Sequence, residues 1–250
     1  MLRSSATFAS LGFAMLSSFS ALAVAEEGAP RSNVGISLNA VILEGPGISV
    51  GIPLGDQFNV RAAGNYFSIS RDFDSDEATY KGKVKLFTLG ALADWHPFHG
   101  GFRLTAGALH NGNSIKLDGQ PNGGTIDVGD CSYASDPSDP LNVHGQTNFK
   151  SLAPYFGFGW GGNLNSAPGF YGTFDLGVMF SGSAGISFGA SGTAHNTDEA
   201  GHPECGQGNI QASSDPNFQS ELKKDQDKIN DDVDKVKVWP MIGFGFGWRF

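Results

Sequence analysis

Residues 242–250 alternate without a break between a large apolar side chain and a small or charged one. A β-strand repeats its side-chain direction every second residue. Ile242, Phe244, Phe246, Trp248 and Phe250 therefore share one face of a predicted strand, and Gly243, Gly245, Gly247 and Arg249 share the other. A sheet face that meets water does not carry five bulky apolar groups in a row. A strand whose outer face meets lipid requires them. This one segment restricts the chain to architectures in which strands cross a membrane.

The same alternation recurs upstream and predicts eight strands, at 34–43, 48–54, 58–69, 84–95, 102–109, 149–160, 170–181 and 238–250. Their connections alternate in length. Those after the second, fourth and sixth are short turns. Those after the third, fifth and seventh are long and polar, spanning 70–82, 112–147 and 182–237. An even number of strands with short periplasmic turns and long outer loops is the pattern of a transmembrane β-barrel. The expected fold is all-β: an eight-stranded antiparallel barrel with one short loop helix. Trp95, Phe102, Trp160, Trp248 and Phe250 fall near the periplasmic strand ends, where an aromatic girdle belongs. The opposite faces carry Arg61, Asp94, Arg103, Asp175 and Arg249 together with many of the 36 glycines, which are predicted to leave some room in the lumen. In the hairpin that turns at 96–100, Asp94 is expected opposite Arg103.

An export signal is expected at 1–25, from Arg3, an apolar small-residue stretch and the cleavage-like Ala23-Val24-Ala25. The barrel would then occupy 26–250. The formal charge of the whole chain is −9. The acidity is concentrated in the three long loops, which hold nineteen acids against eight bases. That balance disfavours nucleic-acid binding, which needs a basic patch. The acids at Asp72, Asp74, Asp76 and Glu77 match no ordered calcium loop. No metal, cofactor or catalytic residue is expected. His110 and Ser114, the nearest thing to a nucleophile with a base, lack the spacing of a lipid A deacylase. Cys131 and Cys205 lie in the two longest loops of an exported chain, where a disulfide joining them is the favoured reading. Leu222, Ile229, Val233 and Val236 mark one face of a helix predicted over 218–236.

The block Asp94-Trp95-His96-Pro97-Phe98, followed by Gly101-Phe102-Arg103-Leu104, resembles a Gram-negative barrel family. So do Ala153-Pro154-Tyr155-Phe156-Gly157-Phe158-Gly159-Trp160 and the closing Trp239-Pro240. The resemblance is to the ornithine-uptake porins of the CarO type. It implies an eight-stranded barrel in the outer membrane that aids entry of basic amino acids. On that reading Arg61, Asp94, Arg103, Asp175 and Arg249 line a path for small cationic or zwitterionic solutes. The reading favoured from the sequence is that the Asp/Arg cluster forms buried pairs that hold the barrel closed. A second functional class is a surface-interaction barrel whose acidic loops contact lipopolysaccharide, cations or a host surface. Phe246, Trp248 and Phe250 resemble the terminal signal read by the outer-membrane assembly machinery. Expected partners are thus membrane lipid, lipopolysaccharide, that machinery and small solutes.

Overall fold

The computed structural model describes residues 33–74, 78–121, 125–197, 202–233 and 237–250. The predicted signal at 1–25, and Asp76, Glu77 and Val236, lie outside them. Five strands come first: β1 (Gly35–Ile42), β2 (Gly45–Leu54), β3 (Phe58–Asp74), β4 (Ala78–Trp95) and β5 (Phe102–Asn111). The next long connection holds β6 (Ser114–Pro121), β7 (Thr125–Val128), β8 (Cys131–Ser135) and β9 (Asn142–Asn148). Then follow β10 (Leu152–Gly161) and β11 (Gly169–Met179). The last connection holds β12 (Gly185–Ser191), β13 (Thr193–Asn196), β14 (Asn209–Gln211) and helix α1 (Pro216–Val233), and β15 (Trp239–Arg249) ends the chain.

Eight of these strands, β1 to β5 with β10, β11 and β15, close into the expected antiparallel barrel. The first and last strands seal it, with Ile36 opposite Trp248 and Leu38 opposite Phe246. The outward faces are the apolar ones: Leu38, Leu89, Phe156, Phe244, Phe246 and Trp248 are all exposed. Around the short-turn end the rings touch one another. Phe102 and Trp160 stand 5.6 Å apart, Trp160 and Phe174 5.9 Å, and Phe174 and Phe244 5.1 Å. Edge and offset contacts at such distances add to burial, so the girdle braces the barrel as well as facing outward. Among the described residues no helix is long and apolar enough to cross a membrane.

Three expectations are corrected. The segment 70–82 is not a loop where it is described. The β3–β4 hairpin keeps one register from the Phe58–Trp95 pair to the Asp74–Thr79 pair. Its outer half is polar on one face, and that polarity hid the strand. The two long connections are likewise folded. They add β6, β9 and β12 to the edge of the barrel sheet and build a separate sheet in the order β14-β13-β8-β7. This exterior unit has its own core around Tyr133, Leu141, Ala194, Phe218 and Leu222. Finally, Asp94 stands opposite Thr105, not Arg103.

Helix α1 begins two residues earlier than predicted. Asp215 Oδ1 accepts hydrogen bonds from the amides of Asn217 and Phe218, and Pro216 fills the first helical position, the expected pairing of cap and proline. The buried helical positions are Phe218, Glu221 and Leu222. Ile229, on the predicted face, is exposed.

Candidate functional site

Antiparallel pairing brings Arg61 of β3, Asp94 of β4, Arg103 of β5 and Asp175 of β11 into one ring across the lumen. Arg61 Nε lies 2.8 Å from Asp94 Oδ2, and Arg61 Nη2 donates to Asp175 Oδ1 at 3.2 Å. Arg103 Nη2 donates to both oxygens of Asp175 at 2.7 and 2.8 Å, and its Nε stands 3.6 Å from Asp94 Oδ1. Thr105 Oγ1 donates to Asp94 Oδ1 at 2.7 Å, which is the local consequence of the register. Each charge thus has two opposite partners and the ring is neutral, the condition for burying ions. Burial is uneven. The Asp94 and Arg103 side chains are 3 % and 1 % exposed, those of Arg61 and Asp175 15 % and 18 %.

The ring divides the lumen. Toward the long-loop end lies a small space of about 40 Å³ lined by Asn39, Asn65 and Thr88 together with Val41, Leu92 and Met241. Toward the short-turn end lies one of about 20 Å³ beside Ser37, Ser49 and Asn59. Arg61 borders both. Some inward glycines border these spaces, Gly243 in the first and Gly51 in the second, while others are filled by neighbouring side chains. A Cβ on Gly157 would stand 2.6 Å from the Tyr155 hydroxyl oxygen, and one on Gly247 2.7 Å from Cζ of Tyr171. Gly157 and Gly247 are slots that accept two tyrosine rings, a use of glycine that keeps a sheet tightly packed.

Both ends of the lumen are closed by side chains. At the long-loop end Glu44, in the β1–β2 turn, is fully buried and accepts a hydrogen bond from Asn113 Nδ2 at 3.0 Å. Burial holds its carboxyl above the ordinary 4.5, against the lowering effect of that bond. At the other end His96 is fully buried just past β4. Its Nδ1 donates to the Gly100 carbonyl at 3.1 Å and its Nε2 accepts from Asn59 Nδ2 at 3.0 Å. Burial lowers the ring below the ordinary 6.5, while the Gly100 carbonyl opposes the shift. Both partners suit a neutral imidazole, so His96 is an interior plug.

Of the five lumen residues predicted, four form the ring. Arg249 does not. It donates to the Asn163 carbonyl at 3.1 Å and lies 5.6 Å over the Tyr171 ring, fastening the β10–β11 turn. Glu44 and His96 were not predicted as interior groups. Glu44 carried a usable signal, being the one acid between two apolar strands, but a turn position alone does not say which way a side chain points. His110 stands beside the Phe87 ring on the outward face, 5.9 Å between centroids. Asp72 pairs across the hairpin with Lys81. Phe246, Trp248 and Phe250 are exposed on the outer face of the short-turn end. Cys131 and Cys205 are bonded to each other, with Cα atoms 5.6 Å apart, inside the core of the exterior unit.

No protein-family model and no curated protein matches the chain. Solved structures do match in fold. CarO of Acinetobacter baumannii superposes with a TM-score of 0.50 at 18% identity, covering 86% of this chain and 97% of that one. CarO2 of the same organism gives 0.52 at 17% identity, with 88% and 100% covered. The chain therefore shares the eight-stranded barrel fold of these proteins, the fold to which its sequence motifs point.

Proposed function

We propose that this protein sits in the bacterial outer membrane as a narrow, side-chain-gated passage for small zwitterionic or cationic solutes, basic amino acids among them. The observation that carries the reading is the pair of lumen spaces that share Arg61 and are parted only by side chains. Asp175 and Arg61 are the two more accessible members of the ring. They offer a carboxylate to an incoming ammonium group and a guanidinium to its carboxylate. A zwitterion would then replace one internal ion pair with two of the same kind, so neither charge is stranded. The neighbouring apolar wall suits an aliphatic side chain. The acidic exterior raises the local concentration of cations near the mouth. Eight strands leave little free cross-section, so passage requires side-chain movement and is slow.

The test is reconstitution in liposomes with ornithine, lysine and glutamate as solutes. The expected outcome is uptake of the first two above empty liposomes, with glutamate slower. Asp175→Asn should lower ornithine uptake about ten-fold while the barrel stays folded. Absence of any solute uptake or conductance would leave the second reading, a surface-interaction barrel. That reading draws support from the long connections, which form a disulfide-tied unit with its own core.

A further inference from the structure

We infer that the outer wall of the barrel binds the phosphate groups of the outer-leaflet glycolipid through Lys83, Lys85 and Lys116, flanked by Ser68, Ser70 and Ser114. The inference rests on the outer-membrane placement above, but it concerns a different face of the molecule from the lumen.

The register puts these residues together. On β4, Lys85 and Lys83 continue the outward column of Trp95, Ala93, Ala91, Leu89 and Phe87, because the β3–β4 pairing runs without a bulge. Lys83 stands directly opposite Ser70 on one side and Lys116 on the other. Lys85 stands opposite Ser68 and Ser114. All three lysines are exposed. Three cationic heads and three hydroxyls therefore share one surface, with donors suited to phosphate oxygens.

Height and charge point to the ligand. Lys85 lies ten residues from Trp95 along β4. At about 3.3 Å per residue and a tilt of about 40°, it stands about 25 Å above the girdle, the height of the apolar band of such barrels. The outward column changes there from aromatic to basic, and Lys85 Nζ sits 5.8 Å over the Phe87 ring at the boundary. Two like charges directly opposite on a sheet are destabilising, so the Lys83–Lys116 pair calls for an anion. Three lysines elsewhere on the exterior have acids beside them within the chain. Lys223 lies 2.7 Å from Asp227, and Lys224 lies 3.0 Å from Asp130. Lys81 stands opposite both Asp72 and Asp118. Among the described residues no ion pair includes Lys83, Lys85 or Lys116. Uncompensated cations at headgroup height on an acidic exterior are matched by phosphate in the surrounding lipid.

The experiment measures binding of bisphosphorylated lipid A to the full chain in detergent micelles by native mass spectrometry. Phosphatase-treated lipid A and phosphatidylglycerol serve as comparators. Each lysine removed should weaken binding roughly five-fold, so K83A/K85A/K116A should lose on the order of a hundred-fold. A K223A/K228A control should change less than about two-fold. Heat-shifted migration on gels reports that each variant is folded. If the triple variant does not fold, K83Q alone still tests the point, because it removes one member of the like-charged pair. Undiminished binding by the triple variant, or by folded K83Q, would overturn the inference. So would equal binding of dephosphorylated lipid A, or of phosphatidylglycerol. Failure of the unmodified protein to insert into liposomes would count against the membrane placement instead, since the binding assay needs no bilayer.

Discussion

Arg61, Asp94, Arg103 and Asp175 are balanced as a set, so removing one member strands the others. Asp94→Asn leaves two guanidinium groups to share Asp175 in a nearly dry site. That change should cost about 3 kcal/mol of stability, read from the midpoint of the heat-shifted gel transition. Pairing it with Arg61→Met restores neutrality and should recover more than half of the loss. If Asp94→Asn is as stable as the parent, the ring is not structural. His96 makes a pH prediction. Its ring is neutral in the fold, and burial lowers its pKa below the ordinary 6.5. The unfolded chain therefore takes up the proton first as pH falls. The contribution of His96 is full above pH 6.5 and is lost as pH drops through the lowered folded value. His96→Gln should flatten that part of the stability–pH curve.

Helix α1 shields a strand edge. The amide of Ile186 donates to Asn230 Oδ1 at 2.6 Å, Asn230 Nδ2 donates back to the Ile186 carbonyl at 3.1 Å, and the Phe188 amide donates to Gln226 Oε1 at 2.9 Å. The two side chains, one turn apart on the helix, occupy the free edge of β12, the outermost strand of the barrel sheet. Unpaired edges invite association with other chains. A Gln226→Ala, Asn230→Ala variant should lose about 2 kcal/mol from the exterior unit. It should also speed hydrogen exchange at the Ile186 and Phe188 amides, with the barrel amides unchanged. The disulfide acts on the same unit. It closes a loop with a sequence separation of 74, so Cys131→Ser with Cys205→Ser should destabilise the unit by about 2–4 kcal/mol. The expected signature is faster proteolysis of the exterior with the barrel transition in place. Loss of both together would mean the two parts fold as one.

Closure of the barrel joins its first and last strands, so the end of the chain matters to the whole. Phe250 is half exposed at the short-turn end, and its backbone amide donates to the Val34 carbonyl at 2.9 Å. Deleting it should reduce the amount assembled in the membrane several-fold, measured by membrane fractionation, while the protein that does assemble keeps its uptake rate. The alternating pattern of β15 was enough to predict its faces, because a two-residue period with one bulky apolar side and one glycine side admits one orientation in a narrow barrel. The number of barrel strands and the inward placement of Arg61, Asp94, Arg103 and Asp175 followed from the same kind of reading, and the pairing of Cys131 with Cys205 from there being only two cysteines, one in each of the longest loops. What the pattern could not supply was register. A shift of two residues leaves every face unchanged, so Asp94 fits opposite Arg103 or Thr105 equally well on paper. Nor could it reveal the folded exterior, where short strands carry mixed polarity and Tyr133, Leu141 and Phe218 are far apart in the chain. Sequence by itself determined which side of each barrel strand faces outward, since that depends on local alternation alone. Only the tertiary structure decided that the lumen is closed by a neutral ring, and that lysines from separate strands meet on the outer wall. Both depend on which residues stand opposite one another, and that is settled by pairing across strands distant in sequence.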